Sequence, residues 1–114
     1  MGFDLNIESF QAEIKSKKEY VDKCLKQFLT PEDAYPPVIH KAMHYAVFNG
    51  GKRLRPIMVF ESARIAGGRR ESVMPTACAI ELIHSYSLVH DDLPAMDNDD
   101  YRRGKLTCHK VFGE

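Results

Sequence analysis

The sequence lacks a charge excess, a paired-cysteine motif and a long apolar segment. Sixteen basic and sixteen acidic side chains cancel, so no overall field attracts nucleic acid or an anionic membrane surface, and any anion site must be local. The cysteines are Cys24, Cys78 and Cys108, an odd number without a CxxC pair, which predicts reduced thiols. No signal-peptide pattern and no segment of membrane-spanning length is found. We therefore expect a cytoplasmic protein without a membrane span.

Apolar residues recur at helical spacing in the first half of the chain. They predict an amphipathic helix that runs from Asp4 and stops near Pro31. A second helix is expected to start at Pro36 and Pro37 and to end at Asn49, because proline suits a helix start and the residues "NGG" end it.

The second half continues the helical pattern. A third helix with Pro56 in its first turn is expected to close at Gly67, and a fourth, opened by Pro75, to reach Asp92. Thr107 is a candidate N-cap for a fifth helix, which suggests that residues 1–114 are the first part of a larger domain. Because the sequence shows no alternating strand pattern and no NG or DG hairpin, it predicts an all-α fold.

One stretch, "HDDLPAMDNDDYRRG" at residues 90–104, holds five aspartates. Asp91 and Asp97 lie six residues apart, and on an undisturbed helix they would point roughly 240° from each other. Pro94 removes a backbone donor, so we expect the helix to bulge or bend there and bring the two carboxylates together. Such a pair suits Mg²⁺, which keeps several waters and leaves positions for phosphate. An acidic helix end without metal is the alternative. An EF-hand loop is not indicated, because this stretch lacks the glycine and the glutamate of the EF-hand pattern.

His84 lies about two turns before Asp91 on the same helix face. A histidine on an apolar helix is more often a core residue than a ligand, but its alignment with Asp91 favours a site. Arg102 and Arg103 follow the carboxylates directly, as expected if metal and guanidinium groups hold one polyanion. Charge balance for neighbouring aspartates is the alternative.

A second basic cluster consists of Lys52, Arg53 and Arg55, directly behind Gly50 and Gly51. Flexible backbone with clustered cations forms a plausible anion site, although alone it is a weak signal. The two basic clusters, the acidic cluster and the apolar helix below it together indicate a substrate with a diphosphate head and a hydrocarbon tail.

Three motifs identify a family. "GGKRLRP", "ELIHSYSLVHDDLPAMDNDDYRRG" and "TCHKVFGE" closely resemble the trans-isoprenyl diphosphate synthases, especially bacterial-type farnesyl diphosphate synthases and the related geranylgeranyl diphosphate synthases, from Tyr45 to Glu114. The resemblance implies the isoprenoid synthase helical bundle, with residues 1–114 as the N-terminal part of one domain, and a homodimer for the full-length protein.

The resemblance also implies residue roles. Asp91 and Asp97 are the expected ligands of Mg²⁺, for which Mn²⁺ can substitute, and Asp92 belongs to the same catalytic motif. Isopentenyl diphosphate is expected to bind at Gly51, Lys52, Arg55, His84 and Arg103, and the allylic diphosphate at Arg102.

The implied reaction condenses isopentenyl diphosphate with dimethylallyl or geranyl diphosphate to give farnesyl diphosphate. Tyr86 lies five residues before Asp91, about 7.5 Å further down the helix, where its ring is expected to form a floor that limits product length. A core tyrosine with a paired hydroxyl is the alternative.

Three other functions remain open. The chain could belong to a geranylgeranyl diphosphate synthase, to a non-catalytic regulatory or partner subunit of a prenyl synthase, or to an acidic Ca²⁺-binding module. A regulatory subunit need not retain the metal ligands, and a Ca²⁺ module leaves the basic residues unexplained. Because a second aspartate-rich motif is absent from these 114 residues, we expect the chain alone to lack turnover.

Overall fold

The computed structural model describes residues 6–114, and helices make up most of that range. The helices are α1 (Ile7–Phe28), α2 (Pro37–Phe48), α3 (Leu54–Ile65), α4 (Arg70–Asp92) and α5 (Cys108–Phe112), and the strands are β1 (Tyr101–Arg102) and β2 (Lys105–Leu106). The predicted helical architecture is therefore confirmed. No helix within residues 6–114 is both long and apolar enough to cross a membrane.

The starts of the first helices follow from their capping residues. The Asn6 side chain accepts hydrogen bonds from the backbone N–H groups of Glu8 and Ser9, at 3.0 and 3.4 Å, and so caps α1. The predicted start at Asp4 lies outside the described residues. Pro37 occupies the first position of α2, as predicted.

Helix α4 begins earlier than predicted. It starts at Arg70, so residues 70–74 are helical and Pro75 lies inside the helix instead of opening it. Val73 and Met74 pack against the core, and burial of these apolar side chains offsets the hydrogen bond that proline cannot donate.

The prediction that the chain contains no strands was wrong for residues 101–106. Strands β1 and β2 pair antiparallel, with Tyr101 opposite Leu106. The connecting residues Arg103 and Gly104 both have positive φ, 54° and 77°, which is typical of the two-residue turns that match strand twist. Two-residue strands are too short for any alternation to be seen in the sequence.

The core lies where α1, α3 and α4 meet. Its buried residues are Val21, Cys24, Leu25, Leu29, Val47, Ile57, Phe60, Ala77 and Cys78. All three cysteines are free thiols, as predicted, and burial raises the pKa of Cys78 to about 11. This packing carries the last turns of α4 to the end of the molecule where the hairpin lies.

Candidate diphosphate and metal site

The aspartate-rich segment leaves the helix instead of bulging within it. Helix α4 ends at Asp92, so the prediction that the helix continues through Pro94 with a bulge or bend is wrong. The chain makes a wide turn in which the Asp97 backbone N–H donates to the Asp91 carbonyl at 2.9 Å. Proline ends the helical hydrogen bonding, and the wide turn returns Asp97 to the helix end that carries Asp91.

The side chains of Asp91 and Asp97 face solvent. Asp91 is half exposed, with Oδ1 3.8 Å from His90 Nδ1, and Asp97 is exposed. Within residues 6–114, neither carboxylate forms a salt bridge with lysine or arginine. The same range contains no group of three or more histidine, cysteine or acidic side chains placed to hold a metal. Both carboxylates are thus accessible, and their role as Mg²⁺ ligands stays a prediction.

Asp92 contacts an arginine rather than solvent. Its side chain is 4% exposed, and its two oxygens accept from Arg102 Nε and Nη2, each at 2.8 Å. The hydrogen bond to Asp92 raises the pKa of Arg102. This bidentate pair fixes β1 to the end of α4 and leaves Asp92 in a positioning role.

Thr107 supports the turn from beneath, a role that the sequence did not suggest. Its buried hydroxyl donates to the Asp99 carbonyl at 2.8 Å, and its N–H donates to the Asp100 carbonyl at 2.9 Å. Thr107 does occupy the predicted N-cap position of α5, but its side chain does not cap that helix. The sequence pattern, a threonine before a short apolar run, is the same whether the threonine caps a helix or supports a turn.

A basic cavity lies beside this turn, with a volume of about 230 Å³. It is lined by Lys52, Arg53, Leu54, Arg55, Glu81, His84 and Arg103. The loop before α3, the first turn of α3, the middle of α4 and the hairpin all contribute. The fold therefore brings together five of the predicted substrate-binding positions, counting Gly51, which Arg103 contacts.

His84 is neutral in this cavity. Burial lowers its pKa, and the charges of Arg55, Arg103 and Arg102 lower it further against the opposing effect of Glu81. Arg55 Nη1 lies 3.2 Å from His84 Nε2, and since arginine can only donate, Nε2 is the acceptor. His84 thus orients Arg55 towards the cavity.

Gly51 allows the hairpin to approach the loop. Arg103 Nη1 donates to the Gly50 carbonyl at 3.2 Å, and a Cβ atom on Gly51 would lie 3.2 Å from the same Nη1 atom. Gly51 also has a φ of 112°, which side chains rarely tolerate. The positive φ of both Gly50 and Gly51 favours glycine, and a Cβ atom at either position would press on the Arg103 side chain.

Arg53 differs from its two basic neighbours. Only 3% of its side chain is exposed, and its guanidinium donates to Asp22 at 2.7 Å, to Glu81 at 3.0 Å and to the Val47 carbonyl at 2.5 Å. Grouping Arg53 with Lys52 and Arg55 as an open anion site was wrong. Its partners are 6 to 31 residues away in the chain, so spacing could not reveal them.

Tyr86 is exposed below Asp91. It has a relative exposure of 68% and stacks on the His90 ring, with centroids 6.0 Å apart. Ile83, one turn earlier, is 67% exposed. Within residues 6–114, Tyr86 therefore belongs to an exposed apolar strip on α4, and its assignment as a floor or as a core tyrosine stays a prediction.

Comparison with known sequences identifies the family. The sequence model of the polyprenyl synthetase family matches residues 36–114. The chain is 52% identical over 101 residues to a dimethylallyltranstransferase of Fischerella ambigua, covering 89% of this chain and 29% of the relative. It is 46% identical over 110 residues to a farnesyl diphosphate synthase of Geobacillus stearothermophilus, covering 96% and 36%. A heterodimeric geranylgeranyl pyrophosphate synthase large subunit of Arabidopsis thaliana is 50% identical, covering 92% and 28%.

Solved structures share the fold. A geranyltransferase from Legionella pneumophila superposes with a TM-score of 0.85 at 44% identity, covering 94% of this chain and 38% of that one. A geranyltranstransferase from Thermotoga maritima gives 0.83 at 40% identity, covering 90% and 38%. The chain spans between 28% and 36% of the length of the three curated relatives named above.

Proposed function

This chain belongs to the polyprenyl synthetase family, and from that premise we propose that it supplies the isopentenyl diphosphate cavity and the first magnesium-binding aspartates of a trans-prenyltransferase. The reaction joins isopentenyl diphosphate to an allylic diphosphate. We assign the basic cavity to the isopentenyl diphosphate and the aspartate-rich turn to the metal-bound allylic diphosphate.

The convergence of cations in the basic cavity carries this proposal. Lys52, Arg55 and Arg103 come from three separate elements and line one space, although the chain has no net charge. Diphosphate is the small ligand that best satisfies several cations placed around one volume, because its oxygens accept charge-assisted hydrogen bonds in many directions. His84, neutral and bonded to Arg55, adds orientation rather than charge.

The aspartate-rich turn fits the second substrate. Asp91 and Asp97 would hold Mg²⁺ through their exposed carboxylates, and Arg102, held by Asp92, would contact the same diphosphate. When bound, Mg²⁺ supplies electrostatic stabilisation of the diphosphate leaving group. The residues of this chain would orient the two diphosphates next to each other, so that the isopentenyl double bond attacks the allylic carbon as its C–O bond breaks and diphosphate leaves. The resulting cation loses a proton, which restores an alkene. No protein nucleophile is required for this chemistry.

Ligand titration of the purified chain tests the proposal. Inorganic diphosphate and isopentenyl diphosphate are titrated by calorimetry into the wild type, Arg55→Gln and Arg64→Gln. Arg55 and Arg64 lie on the same helix, but Arg64 pairs with Glu61 outside the basic cavity. We expect Arg55→Gln to weaken binding by about tenfold or more, and Arg64→Gln to bind like the wild type. Equal affinity of all three proteins would contradict the assignment.

Product length is the finer part of the proposal. We propose a farnesyl (C15) product, because the bulky Tyr86 ring projects from α4 below Asp91 where a growing chain must pass. A geranylgeranyl (C20) product is the alternative. In a full-length synthase carrying this segment, Tyr86→Ala should lengthen the product, while Tyr86→Phe should not. Unchanged product length by chromatography in the alanine variant would remove Tyr86 as the floor.

A further inference from the structure

Glu81 is an acidic residue in a cavity that is otherwise basic. It lines the same space as Lys52 and Arg55 and is only 3% exposed. Its charge reaches His84, one turn further along α4, whose pKa it raises against the other influences. A carboxylate in this position would repel a diphosphate unless a partner neutralised it.

Arg53 is that partner. Its Nη1 donates to Glu81 Oε1 at 3.0 Å, and both side chains are excluded from solvent, with 3% and 4% exposure. The pair is therefore screened little by water or salt. The same guanidinium also bonds to Asp22 on α1 and to the end of α2, so the cation cannot turn towards a ligand without breaking buried hydrogen bonds.

The backbone of Arg53 supports the same assignment. Its φ and ψ of 59° and 28° are left-handed, a conformation that is unfavourable for a residue with a side chain. The buried bonds of the side chain hold the residue in this conformation. Because α3 starts at the next residue, the turn at Arg53 buries one basic side chain while Lys52 and Arg55 remain exposed on either side.

We propose that Arg53 is a positioning residue that binds no substrate and that neutralises Glu81, so that Lys52, Arg55 and Arg103 remain available to the diphosphate. This inference rests on the proposed function of the basic cavity. Without Arg53, Glu81 would repel the diphosphate and would also take Arg55 or Lys52 as a substitute partner. In the motif "GGKRLRP", Lys52 and Arg55 would thus bind the ligand, while Arg53 would neutralise Glu81.

Charge rescue tests the inference. Binding of inorganic diphosphate is measured by calorimetry for Arg53→Met, Arg53→Lys and the double variant Arg53→Met/Glu81→Gln. We expect Arg53→Met to bind about tenfold more weakly, and both other variants to bind within about threefold of the wild type, because neither leaves Glu81 unneutralised. Asp22→Asn, which removes the partner outside the cavity, serves as the matched control and should also stay within about threefold.

Two results would overturn the inference. Unchanged binding by Arg53→Met would show that Glu81 is not felt by the ligand. A double variant that remains helical by circular dichroism and yet binds as weakly as Arg53→Met would show that Arg53 itself contacts diphosphate or shapes the loop. If the wild type fails to bind diphosphate, both the proposed function and this inference are contradicted. If Arg53→Met loses binding and Glu81→Gln does not restore it, only this inference is contradicted.

Glu81→Gln alone covers the case in which Arg53→Met does not fold. Its amide oxygen can still accept from Arg53, and the cavity loses a negative charge. We expect this variant to bind diphosphate at least as tightly as the wild type. Weaker binding would overturn the inference.

Discussion

The basic cavity and the aspartate-rich turn lie side by side but are organised differently. In the cavity, Arg55 is held by His84 and Arg103 by the Gly50 carbonyl, so these two cations are in place without a ligand. In the turn, Asp92 is held by Arg102 and Asp100 pairs with Lys110, while Asp91 and Asp97 face solvent.

The difference follows from the ligand that each region is proposed to take. Cations that bind a diphosphate directly gain from being oriented in advance, because less freedom is lost on binding. Mg²⁺ takes only a few protein oxygens and keeps waters and phosphate as its other ligands. Exposed carboxylates beside a fixed Arg102 therefore suit the second region. Four experiments test this contrast, beginning with the largest expected effect.

Removing Arg102 should destabilise the turn most. Arg102→Met leaves Asp92 buried without a partner and should lower the free energy of unfolding by about 3–5 kcal/mol. Lys110→Met removes an exposed ion pair with Asp100 and should cost less than about 1 kcal/mol. Urea denaturation followed by circular dichroism compares the two. Equal losses would mean that the Asp92 pair does not hold the turn.

Filling the space at Gly51 should disorder the prearranged cavity. Gly51→Ala displaces Arg103, so we expect diphosphate binding to weaken by about tenfold. Gly67→Ala is the matched control, because Gly67 also has positive φ, at 82°, but a Cβ atom there has no neighbour within 4 Å. Both variants should lose about 1 kcal/mol or more of stability. Similar diphosphate affinity in the two variants would refute the packing role of Gly51.

Neutralising the exposed aspartates should weaken metal binding without lowering the stability of the fold. With diphosphate present, Asp91→Asn and Asp97→Asn should each weaken Mn²⁺ binding by about fivefold, measured by electron paramagnetic resonance, without lowering the thermal midpoint. Asp100→Asn provides the control, since Asp100 pairs with Lys110. Metal affinity that is unchanged in both variants would contradict the assignment of the ligands.

Acidification should lower the stability of the fold because His84 is neutral in the folded chain. Its folded pKa lies below the ordinary value of 6.5, so the unfolded chain takes up the proton first. Stability therefore falls as the pH drops from 6.5 through the folded pKa, and is regained above 6.5. His84→Gln should remove this component, on the order of 1–2 °C in the thermal midpoint, whereas His90→Gln on the exposed surface should not. Identical pH profiles for wild type and His84→Gln would contradict a depressed pKa.

Local sequence signals predicted the helices well where they acted alone. Proline at the start and Asn49 with two glycines at the end bounded α2 correctly. At Pro75 the local signal was overridden, because Val73 and Met74 reach the core. The hairpin escaped prediction since its turn residues, Arg103 and Gly104, are not an NG or DG pair.

The sequence selected the site residues by their type and their spacing in the motifs. Their roles as substrate and metal ligands remain predictions. Motif spacing could place Lys52, Arg53 and Arg55 only in one cluster. The structure separates them, because the acceptors that bury Arg53 come from α1, α2 and α4.

By itself, the sequence determined the helical class through its apolar periodicity and the family through its motifs, and it named candidate residues for two diphosphate sites, because these signals lie within a few neighbouring residues. Only the tertiary structure decided which charges remain available to a ligand. Asp92 and Arg53 are withdrawn into buried ion pairs, while Asp91, Lys52 and Arg55 stay accessible. That choice depends on long-range packing, since a charge enters the interior only where another element brings its partner.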